Sequence, residues 1–177
     1  MFELETARLC LVETPLHVVE KRIEQETFDA EINIGSQMRA IHFPPEWPGV
    51  RLGFFPQMAD HLRRHPDAET WDGTLIEKAG WVAVGQMGCK GPPDGAGTVE
   101  IGYGLTPSYQ GRGYMTEAVQ TFAAWLLAQP GVRRVTAECL TTNTGSVRVL
   151  EKSGFARVGE RHDAEEGGWL VLWQLLG

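Results

Sequence analysis

Between Gly113 and Gln129, Met115, Ala118, Val119, Phe122 and Leu126 recur at three- and four-residue intervals. That spacing predicts an amphipathic helix, which Pro130-Gly131 stops. The stretch before it, Thr98 to Leu105, has a period of two instead and reads as a strand. Val99, Ile101, Tyr103 and Leu105 fall on one face; Glu100, Gly102 and Gly104 fall on the other. This second face is nearly bare, so something bulky can approach it closely.

The same reading divides the rest of the chain. Arg8 to Glu13 is a strand with Leu9 and Leu11 on one face. Pro15 suits the first turn of a helix with Thr14 as N-cap, an apolar stripe of Leu16, Val19 and Ile23, and a wet side of Lys21, Arg22 and Glu24. Met38 to Pro56 mixes Pro44, Pro45, Pro48 and Pro56 with Phe43, Trp47, Phe54 and Phe55 and reads as an ordered loop; Ala59 to Arg64 completes a helix ended by Pro66. Thr70 to Lys78 and Trp81 to Cys89 are strands about Ala79-Gly80, and Gly91 to Gly95 is a turn. Val132 to Leu140 is a strand and Asn143 to Ser153 a short helix, with Gly154 at the left-handed cap and Phe155 as its apolar contact. Ala156 to Arg161 and Trp169 to Leu175 form a terminal strand pair. Strands alternating with helices define an α/β fold, and no linker or repeat divides residues 1–177, so one domain is expected.

Composition narrows the function classes. With 42% apolar and 22% charged residues the chain reads as globular. A net charge of -7 supplies no basic face for nucleic acid; it serves solubility or draws a cationic partner. Cys10, Cys89 and Cys139 form no CxxC pair and read as small apolar residues in strands. Met1 to Thr6 lacks the basic and apolar regions of a signal peptide, and no apolar run approaches the roughly 18 residues of a membrane span, so a cytoplasmic location is expected. His61 and His65 have zinc-ligand spacing but no third ligand beside them, so they read as a surface pair and no metal is expected.

Candidate chemistry concentrates in Gly102-Tyr103-Gly104-Leu105-Thr106-Pro107-Ser108-Tyr109-Gln110-Gly111-Arg112-Gly113-Tyr114-Met115. A strand runs into a glycine turn that opens a long helix. Such a turn exposes unpaired N–H groups at the positive end of the helix dipole, and glycine lets a phosphate come close to the backbone. A pyrophosphate is the natural guest, with Arg112 adding charge. The Gly-Lys-Ser/Thr of a P-loop and the GxGxxG of a dinucleotide fold are both absent.

About thirty residues on stands Asn143-Thr144-Gly145-Ser146-Val147-Arg148-Val149-Leu150-Glu151-Lys152-Ser153-Gly154-Phe155. In this order and spacing the two stretches resemble the coenzyme A loop and following helix of the GNAT superfamily of N-acetyltransferases. Glu5-Thr6-Ala7-Arg8-Leu9-Cys10-Leu11 is similar to the opening strand of the subgroup that includes ribosomal-protein alanine N-acetyltransferases. The loop departs from the family's usual pattern at Ser108, where Gln or Arg often stands.

The resemblance implies a GNAT fold: a mixed, strongly twisted sheet of six to seven strands, helices on both faces, and central parallel strands (Thr98–Leu105 and Val132–Leu140) that splay to admit the pantetheine arm. It implies acetyl-CoA as co-substrate and a primary amine as acceptor, either a protein N-terminus or a small molecule, with residues 28 to 60 and the 162–168 hairpin as the acceptor region; the aromatic loop, Trp47 included, is either its wall or plain packing. Leu105 would bond pantetheine through its backbone. Amides of Gln110, Gly111, Arg112, Gly113 and Tyr114 would cradle the pyrophosphate, and Asn143 would touch the arm. A backbone N–H near Leu105 or Thr106 would meet the oxyanion. Glu100 would be the base, or else a structural carboxylate; Ser146 would be the acid, or else satisfy the helix N-terminus, with Tyr114 and Tyr103 as weaker acids. A homodimer fits similar enzymes. The alternative to an enzyme is a non-catalytic acyl-CoA sensor of the same fold.

Overall fold

Strand β1 (Glu3–Glu5) pairs antiparallel with β2 (Leu9–Glu13). In β2, Leu9, Cys10, Leu11 and Val12 are all buried, so this strand is covered on both faces. The computed structural model describes residues 2–66 and 70–177, so Met1 of the opening segment lies outside them. The chain divides into two compact units, Met1–Gly88 with Tyr103–Tyr114, and Cys89–Gly102 with Met115–Gly177.

In the first unit, Pro15 rather than Thr14 holds the cap position of α1 (Leu16–Glu24). Thr14 is buried, and its hydroxyl is bonded to that of Thr74 at 2.9 Å. The inward stripe is also rotated from the expected one. Val18, Val19 and Arg22 face in, whereas Ile23 is exposed. Arg22 tolerates burial because its apolar stem packs and its guanidinium donates to the carbonyls of Gln25 (2.8 Å), Glu26 and Pro45 (2.7 Å). Desolvation still pushes its pKa below the usual arginine value.

The largest departure from expectation is a hairpin, β3 (Phe28–Ile34) and β4 (Gln37–Phe43), which claims residues 38–43 of the expected loop. Phe28, Ala30, Ile32 and Ile34 point inward, and the residues between them are exposed. Gly35 and Ser36 both have positive φ, 57° and 65°, as a two-residue turn matched to strand twist requires. A 3-10 turn, Gly49–Phe54, then leads into α2 (Phe55–Arg64). Phe28 stacks on Phe43 at 4.7 Å, Phe43 meets Trp47 edge-on at 4.7 Å, and Trp47 meets Phe55 at 5.4 Å. Trp47 is fully buried and its indole N–H donates to the Gly85 carbonyl at 3.0 Å. It is a core residue, not an acceptor-site wall. β5 (Asp72–Glu77) and β6 (Val82–Cys89) complete the antiparallel order β1-β2-β5-β6, and β4 joins β6 through the single parallel pair His42–Val82.

β7 (Thr98–Leu105) gives its first five residues to the second unit and its last three to the first. The second unit also holds α3 (Tyr114–Leu127) from Met115 onward, β8 (Arg134–Leu140), α4 (Thr144–Lys152), β9 (Ala156–Asp163) and β10 (Gly168–Leu176). Its strand order is β7-β8-β10-β9. The five residues expected to form the apolar stripe of α3 are all buried. At the end of α4, Gly154 has φ 84°, its N–H bonds Glu151, and the N–H of the buried Phe155 bonds Leu150, closing the helix as its sequence requires. β7 and β8 run parallel, paired at Thr98–Arg134, Val99–Val135 and Glu100–Thr136, and the ladder goes no further although both strands continue.

The class is mixed α/β, as expected, with ten strands among the described residues instead of six to seven; β1, β3 and β4 make the difference. No helix is long and apolar enough to cross a membrane among the described residues.

Gly85 and Gly104 test the packing of the first unit. A Cβ on Gly85 would collide with the Gly104 carbonyl oxygen, whereas a Cβ on Gly104 would meet nothing within 4 Å. Gly85→Ala is expected to lower unfolding free energy by roughly 1–3 kcal/mol in urea titrations, and Gly104→Ala by less than about 1 kcal/mol; equal costs would contradict this packing.

Candidate active site

The glycine turn lies within the first unit. Pro107–Tyr109 form a single 3-10 turn, in which the Tyr109 N–H bonds Thr106 at 3.0 Å and the Gln110 N–H bonds Pro107 at 3.2 Å. Gly111 and Gly113 follow in the left-handed region, φ 74° and 78°. Only glycine takes this conformation without strain, and two such residues in alternation turn successive amides out of the chain. Among the described residues, the N–H groups of Gly111, Arg112, Gly113 and Tyr114 have no backbone acceptor. They stand at the N-terminus of a helix of 14 residues, where the dipole is positive. Amides so arranged can cradle an anion.

Gln110 departs from its expected role. Its N–H is spent inside the turn, and its side-chain amide donates to the Leu105 carbonyl at 3.0 Å. The Leu105 carbonyl is therefore already in use on one side. The Thr106 N–H, a candidate for the oxyanion, donates to Val84 at 2.8 Å and is not free. Gly104 keeps the open side expected of it.

Arg8 was read only as the start of a strand, yet it reaches the turn. Its Nη1 donates to the Arg112 carbonyl at 2.9 Å, and its guanidinium lies 4.4 Å from the centre of the Tyr114 ring. The Arg112 guanidinium lies 5.1 Å from the Tyr109 ring centre. The Tyr114 hydroxyl donates to Glu77 at 3.4 Å, and Ser108 donates to Glu46 at 2.8 Å. The alternation of β2 carries no trace of such a long-range contact.

In the second unit, Glu100 is the last residue of β7 paired with β8, and its carboxylate forms an ion pair with Lys90. Lys90 also donates its N–H to the Glu100 carbonyl at 2.8 Å. Asn143 is the N-cap of α4: its side-chain oxygen accepts the Ser146 N–H at 3.0 Å. Ser146 thus supplies the capped amide rather than the cap. Burial raises the Cys139 thiol pKa, against the opposing influence of the neighbouring Trp173 and Ser146 side chains. The rings of His61 and His65 lie 4.9 Å apart, and among the described residues no three His, Cys, Asp or Glu gather into a metal site.

Residues 26–156 match the acetyltransferase (GNAT) domain family. The uncharacterized N-acetyltransferase YjdG of Bacillus subtilis (strain 168) is 34% identical over 131 residues, 72% of this chain and 76% of that protein. A GNAT-family acetyltransferase of Bacillus anthracis superposes with TM-score 0.69 at 19% identity, covering 99% of this chain and 98% of the other. RimL, a ribosomal L7/L12 alpha-N-protein acetyltransferase in complex with coenzyme A, superposes with TM-score 0.68 at 16% identity, covering 99% and 98%. The two superpositions, at such low identity, speak for the fold alone. The chain belongs to the GNAT acetyltransferase family, and it is an acyltransferase enzyme.

Gly113→Asp forces a side chain onto a left-handed residue and brings a carboxylate to the cradle. Coenzyme A affinity measured by calorimetry is expected to fall at least about tenfold; an unchanged affinity would remove this turn from the binding site.

Proposed function

We propose that the enzyme transfers the acetyl group of acetyl-CoA to a primary amine by direct attack on the thioester. The observation that carries this reading is the run of outward amides from Gly111 to Tyr114 at the start of α3. Those N–H groups would bind the diphosphate, with Arg112 adding positive charge. Gln110 contributes by bracing Leu105 rather than by its amide. Coenzyme A is bound by RimL, and both it and this chain share the fold.

Direct attack needs no covalent enzyme intermediate. The amine must lose its proton, and the departing thiolate must gain one. Glu100 is assigned the first task. To serve it, the carboxylate must exchange Lys90 for the incoming ammonium, so Lys90 holds it in place until the acceptor arrives. Ser146 is assigned the second task, because it stands in the first turn of α4 and the cap of that helix is Asn143. Asn143 orients that helix turn and can offer its remaining amide donors to the pantetheine arm. The acceptor class is a protein N-terminus or a small amine, as expected for enzymes of this family.

Thiol release from acetyl-CoA, followed with a panel of N-terminal peptides, polyamines and small amines, tests the reading. Turnover with at least one class is expected, and coenzyme A binding with no turnover above hydrolysis would leave only the sensor. Glu100→Gln is expected to lower kcat/KM about 100-fold near neutral pH, with a smaller deficit as pH rises and the amine deprotonates itself. Identical pH profiles for the two proteins would take Glu100 out of the chemistry.

A further inference from the structure

Arg8 occupies an odd place for a cation. It stands at the N-terminus of α3, where the helix dipole is already positive and favours an anion. Its backbone is well anchored. The Thr6 hydroxyl accepts the N–H of Arg8 at 3.3 Å and of Leu9 at 2.8 Å, and the Arg8 carbonyl accepts the Lys78 N–H at 3.0 Å. From that fixed corner the side chain reaches residues more than a hundred positions away in sequence, donating to the Arg112 carbonyl and lying over the Tyr114 ring. A Cβ placed on Gly113 would come 3.5 Å from Arg8 Nη2, so the guanidinium lies against the turn itself.

The consequence follows from peptide planarity. In a trans peptide the carbonyl of one residue and the N–H of the next point in opposite directions. Holding the Arg112 carbonyl toward Arg8 therefore directs the Gly113 N–H away from Arg8. Gly111 and Gly113 both have the freedom to flip such a plane, because glycine accepts either sign of φ. Something must choose one orientation. We propose that Arg8 is a positioning residue for the acyl donor: it locks the Arg112–Gly113 peptide plane so that the Gly113 N–H faces the donor's diphosphate. This rests on the acetyl-CoA reading above, and it adds a role for the N-terminal strand in binding.

The test uses two acyl donors. Acetyl-CoA carries the diphosphate, and S-acetylpantetheine lacks it. Arg8→Gln is expected to raise KM for acetyl-CoA about tenfold with kcat within about twofold. With S-acetylpantetheine, kcat/KM should match the unaltered enzyme. Arg8→Lys, which restores a donor to the carbonyl but not the planar stack, should recover part of the loss. A general structural role would depress both donors alike, and that outcome overturns the proposal, as does an unchanged KM for acetyl-CoA in Arg8→Gln. Since each comparison is a ratio of donors on one preparation, a partly unfolded variant still gives a decisive answer. If the unaltered enzyme uses neither donor, the acetyl-CoA reading falls instead; if it uses both and Arg8→Gln leaves their ratio unchanged, only the role of Arg8 falls.

Discussion

The proposed binding of the acyl donor depends on one constraint: amides must be held out of the main-chain hydrogen-bond network and still point one way. Backbone N–H groups normally find partners, and leaving several unmet costs free energy unless water or a ligand satisfies them. The turn before α3 meets the demand with glycine at Gly111 and Gly113, whose positive φ values break the helical progression. Helix geometry supplies the rest, since the first N–H groups of any helix lack intrahelical acceptors. The freedom that makes glycine suitable also makes the turn soft. Arg8 at the Arg112 carbonyl and Gln110 at the Leu105 carbonyl each bond one carbonyl of this stretch, and such bonds oppose that softness.

The role proposed for Glu100 requires a different compromise. A half-buried carboxylate needs a partner, and a catalytic base needs to be available. Lys90 gives Glu100 a partner that lies in the next segment of the same unit, close enough for both its main chain and its side chain to bond the same residue. An exposed lysine is a partner that can be displaced, because its ammonium is easily resolvated and its four-carbon stem is mobile. An arginine in that place, with two parallel bonds to the carboxylate, would hold it more firmly.

Much of this was legible in the sequence. The period of α3, the alternation of β7 and the Gly154 cap are local signals, and local physics decides them. The hairpin from Phe28 to Phe43 also carries a clear signal, because Phe28, Ala30, Ile32 and Ile34 alternate strictly with polar residues and Gly35-Ser36 marks the turn; the expected elements nonetheless leave out Phe28–Ile34, and the prolines downstream draw residues 38–43 into the expected loop. Arg22 was assigned to the wet face by its charge, but three nearby carbonyls outweighed the cost of burial. Thr14 was assigned as a cap by its type, but its hydroxyl went to Thr74 across two strands. In the candidate site, the glycines and the Asn143–Ser146 spacing were readable, whereas Arg8, Lys90 and Glu46 were not. Each of those acts through a contact that tertiary packing creates and that no periodicity encodes.

The proline-rich loop shows how such contacts reach the site. Three successive residues are each fastened to a different part of the first unit: the Pro45 carbonyl to Arg22, the Glu46 carboxylate to Ser108, and the Trp47 indole to the Gly85 carbonyl. Prolines limit the loop's unfolded conformations, and the three bonds select one folded conformation. The Ser108 bond gives a physical sense to the departure from the family's usual Gln or Arg at that position. A short hydroxyl there reaches Glu46 and ties the loop to the turn before α3. With Ser108 serving as a fastening, the loop and the turn before α3 are tied together within the first unit.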